Sequence, residues 1–126
     1  MSDGSYHFET DIDRNYLRLN LAGMWTQPLA TAFLADLDQT IRGMLGAGAR
    51  YGEFRTLVDM TRKNILPQDA VAEFQSVIRP DSPSRRIALI VSGPLHKMQT
   101  KRIAISDKHR IFDREGDALE WLWADG

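Results

Sequence analysis

The feature that most constrains this chain is an unbroken apolar run from Ile87 to Val91. A short apolar run without polar alternation is typical of a strand that is buried on both faces, usually a central strand of a parallel sheet. Ser92, Gly93 and Pro94 follow the run and predict a tight turn. Proline suits the first turn of a helix, because its missing N–H would have no partner there. The sequence therefore predicts a buried strand, a turn and a helix that starts at Pro94.

Two alternating segments near the N-terminus predict an antiparallel hairpin. Residues 6 to 12 and residues 16 to 22 place apolar side chains at every second position. This spacing is typical of a strand with one solvent-facing side. The link between the segments, Asp13 to Asn15, is short, polar and turn-prone. One face of the predicted hairpin is therefore polar.

The rest of the chain predicts strands that alternate with helices. A first helix is capped by Thr26, has Pro28 in its first turn and ends at Gly46. The further strands are predicted at residues 54 to 60, 86 to 91 and 110 to 112, and the further helices start at Pro67, at Pro94 and after a cap at Asp113. This order predicts an α/β domain with a mixed, mainly parallel five-stranded sheet and four helices. We expect a strand order near 1-2-3-4-5 with an antiparallel first strand, all helices on one face, and the other face partly open.

Composition narrows the class of protein. The chain has 126 residues and no cysteine, which excludes a disulfide framework, a thiolate nucleophile and a cysteine-ligated metal. No stretch approaches the roughly 18 apolar residues of a transmembrane helix. The polar N-terminus does not resemble a signal peptide. We therefore expect one cytoplasmic domain spanning residues 1 to 126, with no cofactor.

Charge is unevenly distributed along the chain. Residues 79 to 110 hold eight Lys/Arg and two acids, a net charge of +6, although the whole chain carries −1. Lys97, Lys101 and Arg102 form the basic patch of this segment. Two interpretations stay open: a solvated helix face balanced within the molecule, which we favour, or a surface for an anionic partner. Nucleic-acid binding usually demands a larger basic surface, so we do not expect it.

Four segments, in this element order, resemble the SpoIIAA-like fold shared by STAS domains and the Sec14/CRAL-TRIO domain. They are LRLNLAGMW, FRTLVDM, RRIALIVSGPLHKMQTKR and RIFDREGDALEWL. The sequence is most similar to small stand-alone bacterial STAS/SEC14-like proteins of uncharacterised function. The resemblance implies a non-enzymatic regulatory or protein-interaction module that forms a homodimer. It also leaves open a Sec14-like binder of a small lipid or anionic ligand.

The resemblance also implies a candidate modification site. Anti-sigma-factor antagonists carry Asp-Ser-Ser/Thr-Gly after the third strand, and the third residue of this motif is phosphorylated. The matching residues here are Asp59, Met60, Thr61 and Arg62. Asp59 fits the motif and Thr61 lies at the phosphorylated position, whereas Met60 and Arg62 depart from it. The alternative is that Thr61 only hydrogen-bonds the local turn.

Polar residues follow the third and fourth predicted strands. Ligands of parallel sheets bind outside the carboxyl ends of the strands, and a helix N-terminus offers free N–H groups to an anion. The candidate ligand- or partner-binding residues are Asp59, Thr61, Arg62, Lys63, Ser92 and Gly93. The alternative is that Ser92 caps a helix and Asp59 stabilises its own loop.

Catalytic patterns are missing from the sequence. Ser92 does not lie in a G-x-S-x-G setting. His7, His96 and His109 are far apart and do not form an H-E-x-x-H motif. We therefore predict no catalytic residue, no metal ligand and no enzymatic activity.

Overall fold

The computed structural model describes residues 4–63, 84–92 and 109–124. In this part of the chain, five strands form one sheet in the order β1-β2-β3-β4-β5. β1 is antiparallel to β2, and the other neighbouring strands are parallel. The strands are β1 (Ser5–Asp11), β2 (Tyr16–Gly23), β3 (Phe54–Lys63), β4 (Ser84–Ile90) and β5 (His109–Phe112). The predicted mixed sheet, its strand order and its antiparallel first strand are confirmed.

The described residues hold two α-helices, whereas the sequence predicts four across the chain. They are α1 (Gln27–Gly46) and α2 (Glu115–Trp123). The helices predicted from Pro67 and Pro94 fall within 64–83 and 93–108, outside the described residues.

The hairpin of β1 and β2 follows the predicted alternation. Its register runs without a break from Ser5 opposite Ala22 to Asp11 opposite Tyr16. A 3-10 turn (Ile12–Arg14) joins the strands and ends at Asn15, which has a positive φ of 53°. Asparagine tolerates this left-handed conformation better than most residues. The turn thereby sets the register that separates the apolar face of the hairpin from its polar face.

Helix α1 begins as predicted and covers the apolar face of the hairpin. The Thr26 hydroxyl accepts a hydrogen bond from the Leu29 N–H at 3.4 Å. The core on this side of the sheet unites buried side chains of β2, β3, β4 and α1, among them Leu19, Phe33 and Val58, and the partly buried side chains of β1 pack against it. Trp25 is completely buried there, and its indole N–H donates to the Ala22 carbonyl at 3.0 Å. The junction between β2 and α1 is therefore part of the core.

Strands β3 and β4 carry apolar side chains on both faces. Val58 and Leu89 belong to the core beneath α1, whereas Leu57, Ala88 and Ile90 belong to a second core on the opposite face. All five are at most 7% exposed. The predicted central strand buried on both faces is confirmed.

Helix α2 packs on the opposite face of the sheet from α1. Its buried residues, Ala118 and Leu122, contact the second core. The expectation that all helices lie on one face is therefore wrong. The physical reason is the double-sided apolar pattern of β3 and β4, because each face needs a covering element. Over β1 and β2, the same face carries polar side chains.

Both ends of α2 differ from a simple capped helix. The residue that caps its N-terminus is Arg114, without a side-chain hydrogen bond, and not the predicted Asp113. At the C-terminal end, Arg55 and Arg86 donate to the carbonyl oxygens of Leu122 and Trp121. Cationic groups stabilise this end because the free carbonyl groups carry negative partial charge.

Two tryptophans add to this anchoring of α2. The guanidinium carbon of Arg14 lies 4.1 Å from the ring centre of Trp123, and that of Arg86 lies 5.0 Å from Trp121. These distances allow cation–π attraction. Helix α2 is thus held by apolar contacts in its middle and by arginines at its end.

Replacing Leu19 with alanine tests the core beneath α1. The side chain is 1% exposed, so Leu19→Ala should lower the free energy of unfolding by about 2–5 kcal/mol. Urea denaturation measures the change. Met24→Ala, at a side chain that is 47% exposed, is the control and should change it by less than about 0.5 kcal/mol. Equal losses in the two variants would contradict the described packing.

The contact between Tyr6 and Asp36 gives a pH-dependent prediction. The hydrogen bond from the Tyr6 hydroxyl to the Asp36 carboxylate, with smaller contributions from burial and charge, raises the pKa of Tyr6. Asp36→Asn should lower that pKa, which the tyrosinate absorbance reports in an alkaline titration. Because the folded-state pKa is raised, the bond stabilises the fold below the ordinary tyrosine pKa and loses this effect as pH rises through the folded-state pKa. An unchanged titration in the variant would contradict the contact.

Candidate functional site

The third strand is longer than the sequence predicts, and this moves three candidate residues. The sequence predicts that the third strand ends at residue 60, before Thr61, Arg62 and Lys63, but these three residues belong to β3. Asn20 lies opposite Asp59 and Ala22 lies opposite Arg62, so two residues of β3 face one residue of β2. This is a β-bulge, which locally bends a strand and redirects its side chains. Because of the bulge, β3 continues to pair with the end of β2 after the apolar part of β3 has ended.

Asp59 stabilises the bulge through one carboxylate oxygen. Its Oδ1 accepts hydrogen bonds from the Thr61 N–H at 3.0 Å and from the Thr61 hydroxyl at 2.7 Å. These bonds match the alternative in which Asp59 stabilises its own segment and Thr61 bonds locally. Thr61 is nevertheless exposed at the surface.

Of the six predicted site residues, the structure brings three together. The Ser92 hydroxyl donates to the Thr61 carbonyl oxygen at 3.4 Å, which connects the end of β4 with β3 beside Asp59. Arg62 and Lys63 are placed by their backbone in β3. Gly93 and the basic patch of Lys97, Lys101 and Arg102 lie outside the described residues.

A second set of contacts around Asp59 was not predicted from the sequence. The Arg18 guanidinium of β2 lies 3.1 Å from Asp59 Oδ2 and 2.5 Å from Glu115 Oε1 at the start of α2. Its Nε donates to Asn20 Oδ1 at 2.9 Å and lies 3.5 Å from Glu9 Oε2. The only sequence signal was that Arg18 and Asn20 fall on the polar face of the hairpin. We call Glu9, Arg18, Asn20, Asp59 and Glu115 the Arg18 cluster.

The Arg18 cluster is partly shielded from water and carries negative charge. The side chains of Arg18 and Asp59 are 19% and 21% exposed, whereas those of Glu9 and Glu115 are 56% and 50% exposed. One guanidinium faces three carboxylates, which gives the cluster a formal net charge of −2. Glu9 and Glu115 therefore present their carboxylates to solvent, while the Arg18–Asp59 ion pair beneath them is largely buried.

The surroundings of Arg18 keep its guanidinium charged. Burial lowers the pKa of Arg18, but the hydrogen bond and charge of Glu115, together with Tyr16, outweigh burial, so the pKa is raised. Burial raises the pKa of the neighbouring Tyr16, against the opposing effect of Arg18. The cluster thus holds a permanent positive charge beneath its carboxylates.

A groove of 390 Å³ opens beside the Arg18 cluster on the polar face of the sheet. Polar side chains line most of it, including Ser5, His7 and Glu9 with Arg18 and Asp59. Such a surface can exchange hydrogen bonds and ion pairs with a polar or cationic group. Among the residues that the structure describes, no group of three or more His, Asp or Glu side chains is arranged to hold a metal ion.

The fold is similar to that of a solved structure of unknown function. No family model and no curated protein matches the sequence. The crystal structure of an uncharacterised protein of the DUF3478 family from Shewanella loihica PV-4, described as having a SpoIIAA-like fold, matches with a TM-score of 0.67 and 22% identity. The match covers 97% of this chain and 98% of that chain. The chain therefore has a SpoIIAA-like fold, as the sequence resemblance implied.

Within the described part of the chain, neither helix has the length and apolar character that a membrane span requires.

Replacing Asp59 with asparagine tests the link between the bulge and the Arg18 cluster. In Asp59→Asn, an uncharged amide replaces the carboxylate that accepts from both Arg18 and Thr61. We expect a loss of about 1–3 kcal/mol in the free energy of unfolding at neutral pH, because a half-buried guanidinium loses a charged partner. Urea denaturation measures it.

Asp38→Asn is the matched control for Asp59→Asn. Asp38 pairs with Arg42 at 2.9 Å on the exposed face of α1. Removing an exposed i,i+4 pair should cost no more than about 0.5 kcal/mol. If both variants lose the same stability, Asp59 has no special structural role.

Proposed function

We propose that this protein is a non-enzymatic, STAS-like regulatory module that binds a protein partner on the polar face of its sheet. The observation that carries the proposal is the double role of Asp59. One of its oxygens binds Arg18 and the other binds Thr61. The groove and the end of β3 are therefore one continuous polar surface.

The charge of this surface indicates the chemistry of the partner. Glu9 and Glu115 are half exposed and lie over a guanidinium whose charge is already balanced by Asp59. A lysine or arginine of a partner can approach both carboxylates without meeting an uncompensated positive charge. Charge complementarity of this kind steers association and selects among partners. We therefore propose a partner segment with basic side chains.

Thr61 provides a place where modification can regulate this surface. Its hydroxyl lies 2.7 Å from Asp59 Oδ1. A phosphate on that hydroxyl would add roughly two negative charges next to the carboxylate at neutral pH. Repulsion would weaken the bond that Asp59 makes to the bulge and alter its hold on Arg18. Phosphorylation of Thr61 is thus proposed as a switch of partner binding.

The Sec14-like alternative requires a different kind of cavity. A lipid carrier needs an apolar pocket of roughly 300 Å³ or more. The groove is large enough at 390 Å³, but most of its lining is polar or charged. An anionic ligand at the strand ends would depend on Gly93 and on the side chains of Arg62 and Lys63, and stays a prediction. The contact chemistry of the groove favours a protein partner.

A charge reversal at Glu115 tests the proposed function. Tagged wild-type protein is purified from its own host, and the proteins retained with it are identified by mass spectrometry. In Glu115→Lys, the amount of partner retained should fall at least about tenfold. The reason is that a charge that attracts a basic partner becomes one that repels it, next to Arg18.

Asp38→Lys is the control with the same change of charge on the exposed side of α1. It should retain the partner at the wild-type level. Thermal unfolding of both variants shows whether they are folded. A partner that is retained equally by the Glu115 and Asp38 variants would show that the surface formed by the Arg18 cluster and the groove beside it does not bind the partner.

A further inference from the structure

Strand β1 has an outer edge without a neighbouring strand in the described part of the sheet. The strand is seven residues long, and its register with β2 has no bulge. Its sequence, SYHFETD, contains no proline and no lysine. Exposed edges are normally protected by short strands, bulges, prolines or lysines, because free N–H and C=O groups pair readily with another chain. β1 lacks each of these protections.

We propose that two copies of this chain pair antiparallel through β1, about a two-fold axis that passes beside Phe8. Phe8 is the middle residue of Ser5–Asp11. An axis there brings all seven residues of one strand opposite all seven of the other. The two five-stranded sheets then become one ten-stranded sheet, with α1 of both copies on the same face.

The side chains of β1 are complementary to themselves in this register. On the polar face, His7 lies opposite Glu9 of the second copy, and the two-fold axis supplies this pair twice. An imidazole can donate a hydrogen bond to a carboxylate in either protonation state. On the other face, Phe8 meets Phe8 of the second copy. Opposite charges and aromatic pairs in facing positions stabilise antiparallel strands.

Neighbouring registers are less complementary, although an axis beside Glu9 would also place His7 opposite an acid, Asp11. An axis beside Glu9 places Glu9 opposite its own copy, and like charges in facing positions are destabilising. An axis beside His7 places the two His7 side chains opposite each other and leaves Thr10 and Asp11 without facing residues. Both shifts also shorten the paired length. Charge and strand length therefore select the same register.

A groove at the edge of β1 provides room for the second strand. It has a volume of 440 Å³ and extends around the edge, because it is lined by His7 from the polar face and by Asp36, Gln39 and Thr40 of α1. Tyr6 and Phe8 are only half-buried there, although they pack on Phe33. A second copy would cover the exposed parts of both rings.

A charge exchange between positions 7 and 9 tests this interface. His7→Glu places two acids in facing positions, and Glu9→Lys removes the acceptor of His7. Each single variant should raise the dissociation constant of the dimer by about tenfold, because the two-fold axis places the changed residue in the interface twice. The double variant His7→Glu, Glu9→Lys places a carboxylate opposite an ammonium group and should recover most of the affinity. Sedimentation velocity over a range of protein concentrations measures the dissociation constant.

Control measurements distinguish a loss of dimerisation from a loss of folded protein. Glu9→Lys also removes the bond from Asn20 Nδ2 to Glu9, at 2.9 Å, so circular dichroism and urea denaturation accompany each variant. His7→Lys places a cation opposite Glu9 and should dimerise at least as well as the wild type.

Two results would overturn the proposal. The first is a wild-type chain that sediments as a monomer of 14.3 kDa at concentrations up to about 1 mM, where even very weak association shows. The second is a dimer whose dissociation constant is the same in the wild type and in folded His7→Glu. Neither result bears on partner binding at the groove, which the Glu115 variant tests.

Discussion

The structure depends on one constraint: the central parallel strands must be covered on both faces. Residues Ile87 to Val91 are all at most 5% exposed, with alternate side chains directed to opposite cores. If either side of β4 faced water, its large apolar side chains would be exposed, and each of them contributes roughly 1.5–3 kcal/mol to the free energy of unfolding when it is buried. Ile87 and Leu89 belong to the core that also includes α1, and Ala88 and Ile90 pack with α2, so the position of α2 follows from the pattern of β3 and β4.

The polar part of the molecule begins where this constraint ends. On the face that α2 covers over β3 and β4, β1 and β2 present polar side chains, and β3 joins them through Asp59. Arg18 lies at the boundary, with Asp59 on one side and Glu115 of α2 on the other. The same guanidinium therefore orients the N-terminus of a structural helix and supports a charged surface, so a change in either one affects the other.

Local patterns allowed much of this fold to be predicted. The hairpin and the cap at Thr26 depend on residues within a few positions of each other. The unbroken apolar run from Ile87 to Val91 by itself indicates a strand that is buried on both faces. The Arg18 cluster could not be predicted in this way, because it joins Arg18 to residues 41 and 97 positions away. The bulge after Asp59 was missed because extra pairing with β2 extends β3 beyond its apolar pattern. The choice of face for α2 depended on β3 and β4 together.

The anchoring of α2 has a consequence for the order of events during protein synthesis. The helix follows the five described strands in the chain, yet it covers Leu57 and Ala88 and is held by Arg55 and Arg86, which leave the ribosome earlier. Until residues 115 to 123 emerge, one face of the central strands has no cover from α2. Chaperones recognise transiently exposed apolar surface of this kind. Synthesis of α2 thus ends the period in which Leu57 and Ala88 lack the cover of this helix.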